Sequence, residues 1–334
     1  MAAMTASSDV SPASATTELS AAVVVCAYTD KRWDDLSAGL SELLRQAHPQ
    51  DRIIAVIDHN DDLLKRTKAE FVPQGVLVVP NAGTQGLSGA RNTGVENAEA
   101  DLILFLDDDA LPGPGWIDAY RARFSEAQDI IGVGGAIEPA WEGKTAPRWF
   151  PIEFGWVVGC DYRGLPDSGE EIRNPIGASM AIRQTGFDAV GGFSDLVGRL
   201  GELPVGNEET ELAIRIRQAM PAARIVRDTN SVVYHYVPKS RQTVKYFVSR
   251  CYYEGISKAA TTSEVGSEDG LSSERAYVVK TLVKGMGLHA SEALHGDPAG
   301  LARAVMLPVG LVATTFGFVR GKLRLKREAK QIAS

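Results

Sequence analysis

The 334-residue sequence has only three cysteines, Cys26, Cys160 and Cys251, which lie far apart and in no metal-binding spacing. This argues against a disulfide framework and fits a reducing compartment. Basic residues are not in excess, because 35 Lys and Arg stand against 42 Asp and Glu, for a net charge of -7. A general nucleic-acid-binding protein is normally basic, so we expect no nucleic-acid partner.

The sequence also lacks a GxxxxGK[ST] phosphate loop, and we expect its first residues to be something other than a secretory signal. Its first 19 residues have neither a basic start nor an apolar core, and they are rich in Ala, Ser and Thr. We therefore expect residues 1–19 to form a disordered tail. The hydrophobic content of 44% is ordinary for a soluble protein, and the length allows one large domain with an accessory segment.

Short apolar runs alternate with segments of helical periodicity over the first 110 residues. The runs 21–26, 52–57 and 102–106 are typical of strands that are buried on both faces of a sheet. The segments 34–46 and 61–70 between them carry apolar residues at helical spacing. The pattern predicts an α/β fold with a mostly parallel, Rossmann-like sheet and helices on both faces.

The second half of the chain is less regular. Residues 138–172 are rich in Pro, Gly and Trp, which predicts a long functional excursion. Residues 224–236 read as a pair of short strands, and the pattern is helical from residue 242 onward.

Three consecutive carboxylates, Asp107, Asp108 and Asp109, follow the apolar run 102–106 directly. Open α/β sheets bind ligands at the carboxyl ends of their strands, which is where this triplet falls. Asp107 and Asp109 can reach one divalent cation or the ribose-diphosphate part of a nucleotide. The alternative is an acidic turn that caps the next helix.

A glycine-rich segment, 81–94, precedes this strand and has three glycines at three-residue spacing. Glycine lets the backbone approach a ligand closely, although the segment is not the GxGxxG dinucleotide fingerprint. Arg91 supplies a cation near a phosphate, and Ser88 can cap the helix that follows. The strand ends at 27–30 and 58–60 offer polar groups at the same edge of the sheet. A plain flexible turn is the alternative.

Three glutamates, Glu208, Glu209 and Glu211, precede an amphipathic helical segment. Acidic residues in a first turn often only complement the helix dipole. The sharper interpretation is that Glu209 takes a proton from an acceptor hydroxyl. His235, beside two tyrosines, is either a packing residue or a ligand.

An aromatic cluster places five rings within 16 residues of the irregular excursion. Its members are Trp141, Trp149, Phe150, Phe154 and Trp156. These rings either stack on an acceptor's sugars or hold an apolar chain, or else they pack a lobe over the sheet.

Together these residues resemble glycosyltransferase family 2. The resemblance covers residues 20–255 through CAYTDKR, VIDHNDD, NxGxxGxSxARNxG, FLDDDxxP, NPIGASMAIRQTGFDAVGGF, NEETELAIR and HYVPKSR, which occur in the family's order. It implies a GT-A fold, a nucleotide-diphosphate sugar as donor, and transfer with inversion of the anomeric configuration.

The resemblance, together with the strand-end, glycine-rich and aromatic patterns described above, gives expected roles for individual residues. The donor-binding candidates are Ala27, Tyr28, Asp58, Asn60, Ser88, Arg91, Asp107 and Asp108. A Mn²⁺ or Mg²⁺ ion would be held by Asp109 with Asp107 and His235. The general base would be Glu209, within a Glu-Glu pair where the family usually has Glu-Asp. The acceptor-side candidates are Trp141, Trp149, Trp156, Asn174 and Glu208.

We expect residues 20–240 to form the catalytic domain and residues 241–334 a C-terminal helical extension. Within the extension, 304–319 is uncharged and mainly apolar between Arg303 and Arg320, and a basic tail follows. A spanning helix needs about 20 apolar residues, so this segment favours a peripheral or shallow anchor on an anionic membrane, facing the cytoplasm. A buried accessory helix and a true span are the alternatives. A membrane location suits a polyprenyl-linked acceptor.

Two other function classes are weaker. A sugar-nucleotide nucleotidyltransferase would need a glycine-rich phosphate loop after its first strand, where this chain has CAYTDKR. A non-catalytic nucleotide-sugar-binding protein is expected to have lost acidic positions, whereas Asp107, Asp109 and Glu209 are all present. The sequence therefore predicts an inverting glycosyltransferase of cell-surface polysaccharide or glycolipid synthesis, in the cytoplasm or at the inner face of the cell membrane.

Overall fold

The computed structural model describes residues 18–194, 208–264 and 278–332. The strands in these ranges are β1 (Ala21–Ala27), β2 (Arg52–Ile57), β3 (Leu77–Pro80), β4 (Leu102–Asp107), β5 (Ala110–Pro112), β6 (Ile130–Trp141), β7 (Ser179–Arg183) and β8 (Arg224–Val237). The helices are α1 (Trp33–Gln46), α2 (Asp61–Phe71), α3 (Leu87–Glu96), α4 (Trp116–Ser125), α5 (Gln184–Val190), α6 (Glu208–Ala219), α7 (Val244–Glu264), α8 (Val283–Leu294) and α9 (Ala299–Ile332). Most of the tail predicted over residues 1–19 lies outside the described residues.

All eight strands form one sheet, in the order β3-β2-β1-β4-β7-β6-β8-β5. The first four strands in this order are parallel to one another. The strand β7 is antiparallel to both of its neighbours, and β5 is antiparallel to β8, whereas β6 and β8 are parallel. The predicted parallel sheet therefore describes one half of the molecule, and the other half is mixed.

Helices cover both faces of the sheet. Consecutive strand residues point to opposite faces, so neighbouring residues of one strand pack into different cores. In β1, Val23 and Val25 belong to the core beneath α1 and α4. The residue between them, Val24, belongs to a second core with Ala90 of α3 and Leu212 of α6. The continuous apolar runs of the central strands are thus explained by burial on both faces.

Two predicted segments differ in the structure. The pair of short strands expected over 224–236 is a single strand, β8, whose pairing with β6 shifts register between Asp228 and Val232. The excursion expected over 138–172 starts with the end of β6 and contains a short 3-10 helix over Ile152–Val158.

The helices α7 and α9 cross closely through small residues. A side-chain carbon added to Gly255 or Gly317 would collide with a backbone carbonyl of the opposite helix. On its inner side α9 also contacts the sheet-side core, since Met306 and Leu307 are buried in it. The long helix α9 continues through Pro308.

The outer side of α9 is exposed. By length and composition, α9 is the single helix in the described ranges that could cross a membrane, over Ala299–Arg327, and 22% of its most apolar window is buried. One side of α9 is therefore buried against the protein, and the other side is exposed.

Candidate active site

A cleft of about 190 Å³ lies at the carboxyl end of β4. It brings together seven of the predicted site residues: Arg91, Asp107, Asp109, Trp156, Glu208, Glu209 and His235. These residues come from α3, from the β4–β5 segment, from the 3-10 helix, from α6 and from β8. The structure therefore gathers the acidic triplet, the second acidic motif and the histidine at one edge of the sheet, where α/β proteins bind ligands.

The side chains of Asp107, Asp109 and His235 form a group that could hold a metal ion. One ligand atom from each lies within 4.8 Å of the others. Strand pairing creates this group, because β5 runs antiparallel to β8 with Ala110 opposite His235. The His235 Nε2 atom is consequently 3.1 Å from Asp109 Oδ1. Carboxylate oxygen and imidazole nitrogen are ordinary ligands of divalent cations.

The charges around Asp109 are strongly coupled. Burial acts to raise the pKa of Asp109, but His235 and two nearby arginines outweigh it and hold that pKa below its ordinary value. Burial likewise acts to lower the pKa of His235, but the Asp109 carboxylate outweighs it and raises that pKa to about 10. The imidazole is therefore protonated at neutral pH, and a cation that it coordinates must displace that proton.

Two arginines that we had not predicted as site residues contact the acidic triplet. Arg32 lies 2.5 Å from Asp108 Oδ1 and 3.2 Å from Asp109 Oδ2, and Arg241 lies 3.4 Å from the latter atom. Both arginines occur in motifs that carried the family resemblance, CAYTDKR and HYVPKSR. The sequence did not show that these two arginines lie next to the carboxylates, because they are distant from the acidic triplet along the chain.

The central aspartate of the triplet differs from its neighbours. Asp108 is not among the described residues that line the cleft. Burial raises its pKa to about 6, although Arg32 acts in the opposite direction. Its Oδ2 atom is buried with no hydrogen-bond partner among the described residues. Asp108, which we had predicted to bind the donor, is thus paired with Arg32.

A second ion pair fixes the wall of the cleft. The buried Arg91 of α3 lies 3.1 Å from Glu208 Oε1 and 3.6 Å from Asp107 Oδ1, and it donates to the Gly177 carbonyl at 3.2 Å. Glu208, which we had predicted on the acceptor side, is therefore paired with Arg91. This pairing joins α3, β4 and the start of α6.

The neighbouring Glu209 lines the same cleft and is only partly buried. Burial and the negative charge of Glu208 raise its pKa to about 8, and the charge of Arg91 offsets part of that rise. A carboxylate with a pKa near the working pH is suited to general-base catalysis.

The predicted donor-binding residues at the other strand ends form a linked group beside the cleft. Asp58 accepts hydrogen bonds from Asn81 at 2.6 Å and from the Gly86 amide at 3.0 Å, so it shapes the glycine-rich segment. Asn60 caps α2 through the Leu63 amide and donates to the Tyr28 carbonyl at 3.1 Å.

The remaining two residues of that group are buried. Ala27 lies at the end of β1, where its carbonyl accepts from the Asp58 amide at 2.8 Å, and Ser88 lies in the first turn of α3. None of Ala27, Tyr28, Asp58, Asn60 and Ser88 is among the described residues that line the cleft.

The aromatic cluster is mainly a packing unit. The ring of Trp141 lies 5.3 Å from Phe150, and that of Trp149 lies 5.9 Å from Phe247 of α7. Of the predicted acceptor-side aromatics, Trp156 is the one that lines the cleft within the described chain. Asn174 hydrogen-bonds to its sequence neighbours and lies outside the cleft lining, although residues 176–178 belong to it. Two further lining residues, Tyr246 and Arg250, come from α7 and were not predicted.

The fold and this cleft define a sugar-transferring enzyme of the GT-A type. Residues 22–191 match the family model of glycosyl transferase family 2, and the chain belongs to this family. Its enzymes are glycosyltransferases, so the predicted enzyme class is confirmed and the two alternative classes receive no support.

Two curated proteins show how far the similarity extends. A glucosyl-dolichyl phosphate glucuronosyltransferase from Haloferax volcanii is 29% identical over 304 residues, which are 90% of this chain and 96% of that protein. The succinoglycan biosynthesis protein ExoM from Rhizobium meliloti is 26% identical over 243 residues, which are 69% of this chain and 71% of that protein.

Two solved structures share the fold. The mannosyltransferase PcManGT from Pyrobaculum calidifontis, in complex with GDP-Man and Mn²⁺, has a TM-score of 0.52 at 15% identity, with 87% of this chain and 86% of that chain covered. GalNAc-T7 with UDP, GalNAc and Mn²⁺ has a TM-score of 0.51 at 16% identity, with 79% of this chain and 55% of that chain covered. The predicted GT-A fold is confirmed.

Proposed function

We propose that this glycosyltransferase moves a sugar from a nucleoside-diphosphate donor to a hydroxyl of a polyprenyl- or dolichyl-linked glycan, with inversion at the anomeric carbon. The observation that carries the proposal is one cleft that holds a potential cation site, Asp107, Asp109 and His235, together with a separate carboxylate of raised pKa, Glu209. Transfer from a nucleotide sugar requires both a site for the diphosphate and a base for the acceptor.

The residues present fit a divalent cation. Two carboxylates suit Mg²⁺ or Mn²⁺, and the imidazole of His235 tilts the set towards a transition metal such as Mn²⁺. When bound, such a cation would neutralise the negative charge that develops on the departing diphosphate. Two structural relatives were solved with Mn²⁺, which supports the same choice.

The side chains of the cleft divide the remaining work. Glu209, once deprotonated, accepts the proton of the acceptor hydroxyl as that oxygen attacks the anomeric carbon. A single displacement from the face opposite the leaving group inverts the configuration. Arg32 and Arg241, both within 3.4 Å of Asp109 Oδ2, supply positive charge for the diphosphate.

Three observations support a lipid-linked acceptor at a membrane. The relative from Haloferax volcanii is named for a dolichyl phosphate substrate, and the similarity covers 96% of it. The outer side of α9 exposes large apolar side chains, among them Val312 and Phe316. Cations follow them at 320, 322, 324, 326 and 327. On this proposal the enzyme works at the cytoplasmic face of a membrane, in the synthesis of a polysaccharide or glycolipid.

The proposal is tested by presenting UDP-, GDP- and dTDP-sugars with Mn²⁺ to the purified full-length enzyme. We expect one donor class to bind in a metal-dependent way. With a lipid-linked glycan from the native membrane as acceptor, the product should show the anomeric configuration opposite to that of the donor by NMR. Retention of configuration would contradict the single displacement, and failure of every donor to bind would contradict the nucleotide-sugar site.

Membrane contact has its own test. Because the basic end of α9 is attracted to anionic lipid, the full-length enzyme should co-sediment with phosphatidylglycerol vesicles at low salt. Each cation near the surface contributes about 1 kcal/mol, which salt screens. Replacing Arg324 and Lys326 with Glu should therefore weaken vesicle binding by about 10²-fold or more. Replacing two exposed cations of the catalytic domain, Arg52 and Lys65, with Glu should not weaken it. Equal effects of the two double variants would contradict a membrane-facing α9.

A further inference from the structure

The C-terminal helices form a second, open concavity, which we call the helical groove. It lies between α7, α8 and α9, and its lining includes Val248, Met286, Ala290, Pro308, Val309 and Val312. All of its lining residues in the described chain are apolar, and its volume is about 730 Å³. Ligand sites commonly measure about 300–1,000 Å³, so the helical groove is large enough for one.

Much of this apolar lining faces outward. The side chain of Val312 is 67% exposed and that of Phe316 is 61% exposed. An exposed apolar surface of this kind usually marks a contact with lipid, a ligand or another protein.

The helical groove and the catalytic cleft share a wall. The helix α7 contributes Tyr246 and Arg250 to the cleft and Val248 to the groove. Between the two concavities lies a layer of aromatic rings. Trp156 of the cleft packs on Phe154 at 5.4 Å between ring centroids, and Phe154 packs on Phe247 of α7 at 5.2 Å.

On its groove side this layer meets α9. A side-chain carbon added to Gly310 would lie 2.5 Å from the Phe154 ring and 3.1 Å from the Phe247 ring, so the α9 backbone rests on these two rings. The residues around Gly310 in α9, from Pro308 to Ala313, include groove-lining residues. The catalytic cleft and the apolar helical groove are therefore separated by this layer of aromatic rings.

The cationic lining of the cleft near α7 is complementary to a phosphate, and the uncharged lining of the groove is complementary to a hydrocarbon chain. Arg250 lies in the cleft lining and is paired with Glu254 at 3.1 Å on its own helix. Arg241 also lines the cleft. Beyond them the lining of the helical groove carries no charge in the described residues.

We propose that the helical groove binds the isoprenoid chain of the lipid-linked acceptor, with the linking phosphate held near Arg250. This inference rests on the proposed function, because it assigns a site to the lipid part of that acceptor. The two sites lie against the same helix, α7, and each suits one part of such a substrate: the glycan and its phosphate in the cleft beside the arginines, and the hydrocarbon in the groove.

Binding of farnesyl phosphate to the full-length enzyme tests the inference without requiring transfer. Replacing Val312 with Asn puts a polar group into the groove at a largely exposed position. Loss of one buried aliphatic contact should weaken farnesyl phosphate about tenfold, as measured by calorimetry below the micellar concentration. The matched control is Val319→Asn, since Val319 is 51% exposed on the same helix but does not line the groove.

A second variant, Ala290→Trp, fills the groove from α8 and should also weaken farnesyl phosphate. Circular dichroism and thermal melting establish that each variant is folded. Both Val→Asn variants should bind phosphatidylglycerol vesicles equally, because each removes one exposed valine from α9. Equal loss of farnesyl phosphate in Val312→Asn and Val319→Asn would overturn the proposal, and so would no loss in Val312→Asn and Ala290→Trp.

Two controls separate this inference from the proposed function. The Glu209→Gln enzyme should bind farnesyl phosphate normally although its sugar transfer is about 10²- to 10⁴-fold slower. The Val312→Asn enzyme should transfer sugar normally to a water-soluble glycan that has no lipid. If the wild-type enzyme transferred sugar to neither kind of acceptor, that result would contradict the proposed function. Normal farnesyl phosphate binding by the groove variants would contradict only the assignment of the groove.

Discussion

Replacing Glu209 with glutamine should lower the rate of sugar transfer by about 10²- to 10⁴-fold, which is the usual effect of losing a general base. The amide keeps the size and polarity of the side chain but cannot accept a proton at neutral pH. Donor affinity should change little, because the potential cation site and the arginines are formed by other residues. Initial rates at saturating donor measure the first quantity, and calorimetric titration with donor measures the second.

The control for this substitution is Glu211, two residues further along α6. Glu211 is buried and pairs with Arg215 of its own helix, and it is not among the described residues of the cleft. Transfer by folded Glu211→Gln enzyme should remain within a few-fold of wild type. If Glu209→Gln retains nearly full activity, Glu209 is not the base, and Glu208 becomes the next carboxylate to examine.

The pH dependence of transfer should carry the signature of the same residue. Burial and the Glu208 charge raise the pKa of Glu209 to about 8, so the reactive carboxylate predominates only above that pH. Below pH 8, kcat/KM should rise about tenfold per pH unit, and above pH 8 it should level off. That limb should vanish in the low residual activity of Glu209→Gln. A limb that persists unchanged in the variant would belong to another group.

The sequence was most informative where local pattern determines structure. A continuous apolar run that ends in Asp107 predicted both the buried strand and the acidic edge, because burial on two faces leaves no polar alternation. The glycine-rich pattern likewise predicted a close backbone approach, because a side-chain carbon on Gly89, in the first turn of α3, would collide with the Thr84 carbonyl of the preceding loop.

The contacts within the site depend on long-range pairing and were not predictable in this way. His235 meets Asp109 because β5 and β8 pair in one particular antiparallel register. No periodicity encodes that register across more than 100 residues. Arg32 and Arg241 were visible as motif residues, but their proximity to Asp109 also depends on the folded arrangement.

The aromatic cluster illustrates a second limit. Composition alone gave equal reason to expect packing or ligand stacking. The structure separates the rings by their neighbours: Trp149 packs against Phe247, which belongs to a helix nearly 100 residues later, and Trp156 reaches the cleft. Such a distinction requires knowledge of where the C-terminal helices dock.

Replacing Asp109 with alanine should remove the metal dependence of donor binding. In wild-type enzyme we expect Mn²⁺ to strengthen binding of the donor nucleotide by about 10²- to 10³-fold, the effect of several kcal/mol of charge neutralisation. Asp109 lies next to both His235 and Arg241, at 3.1 and 3.4 Å. Its removal leaves Asp107 with an imidazole that has lost its carboxylate partner, and such a pair holds a divalent cation weakly.

The neighbouring substitution Asp108→Asn provides the matched control. Asp108 belongs to the same acidic triplet and contacts the same arginine, but it is not among the described residues of the cleft. It should therefore keep the Mn²⁺ dependence that Asp109→Ala loses. Titrating each enzyme with UDP and GDP, with and without Mn²⁺, measures the difference directly. If Asp109→Ala binds nucleotide with unchanged Mn²⁺ dependence, the cation is held elsewhere. If both variants lose that dependence equally, the triplet acts through its total charge, because a specific ligand at position 109 would make the two variants differ.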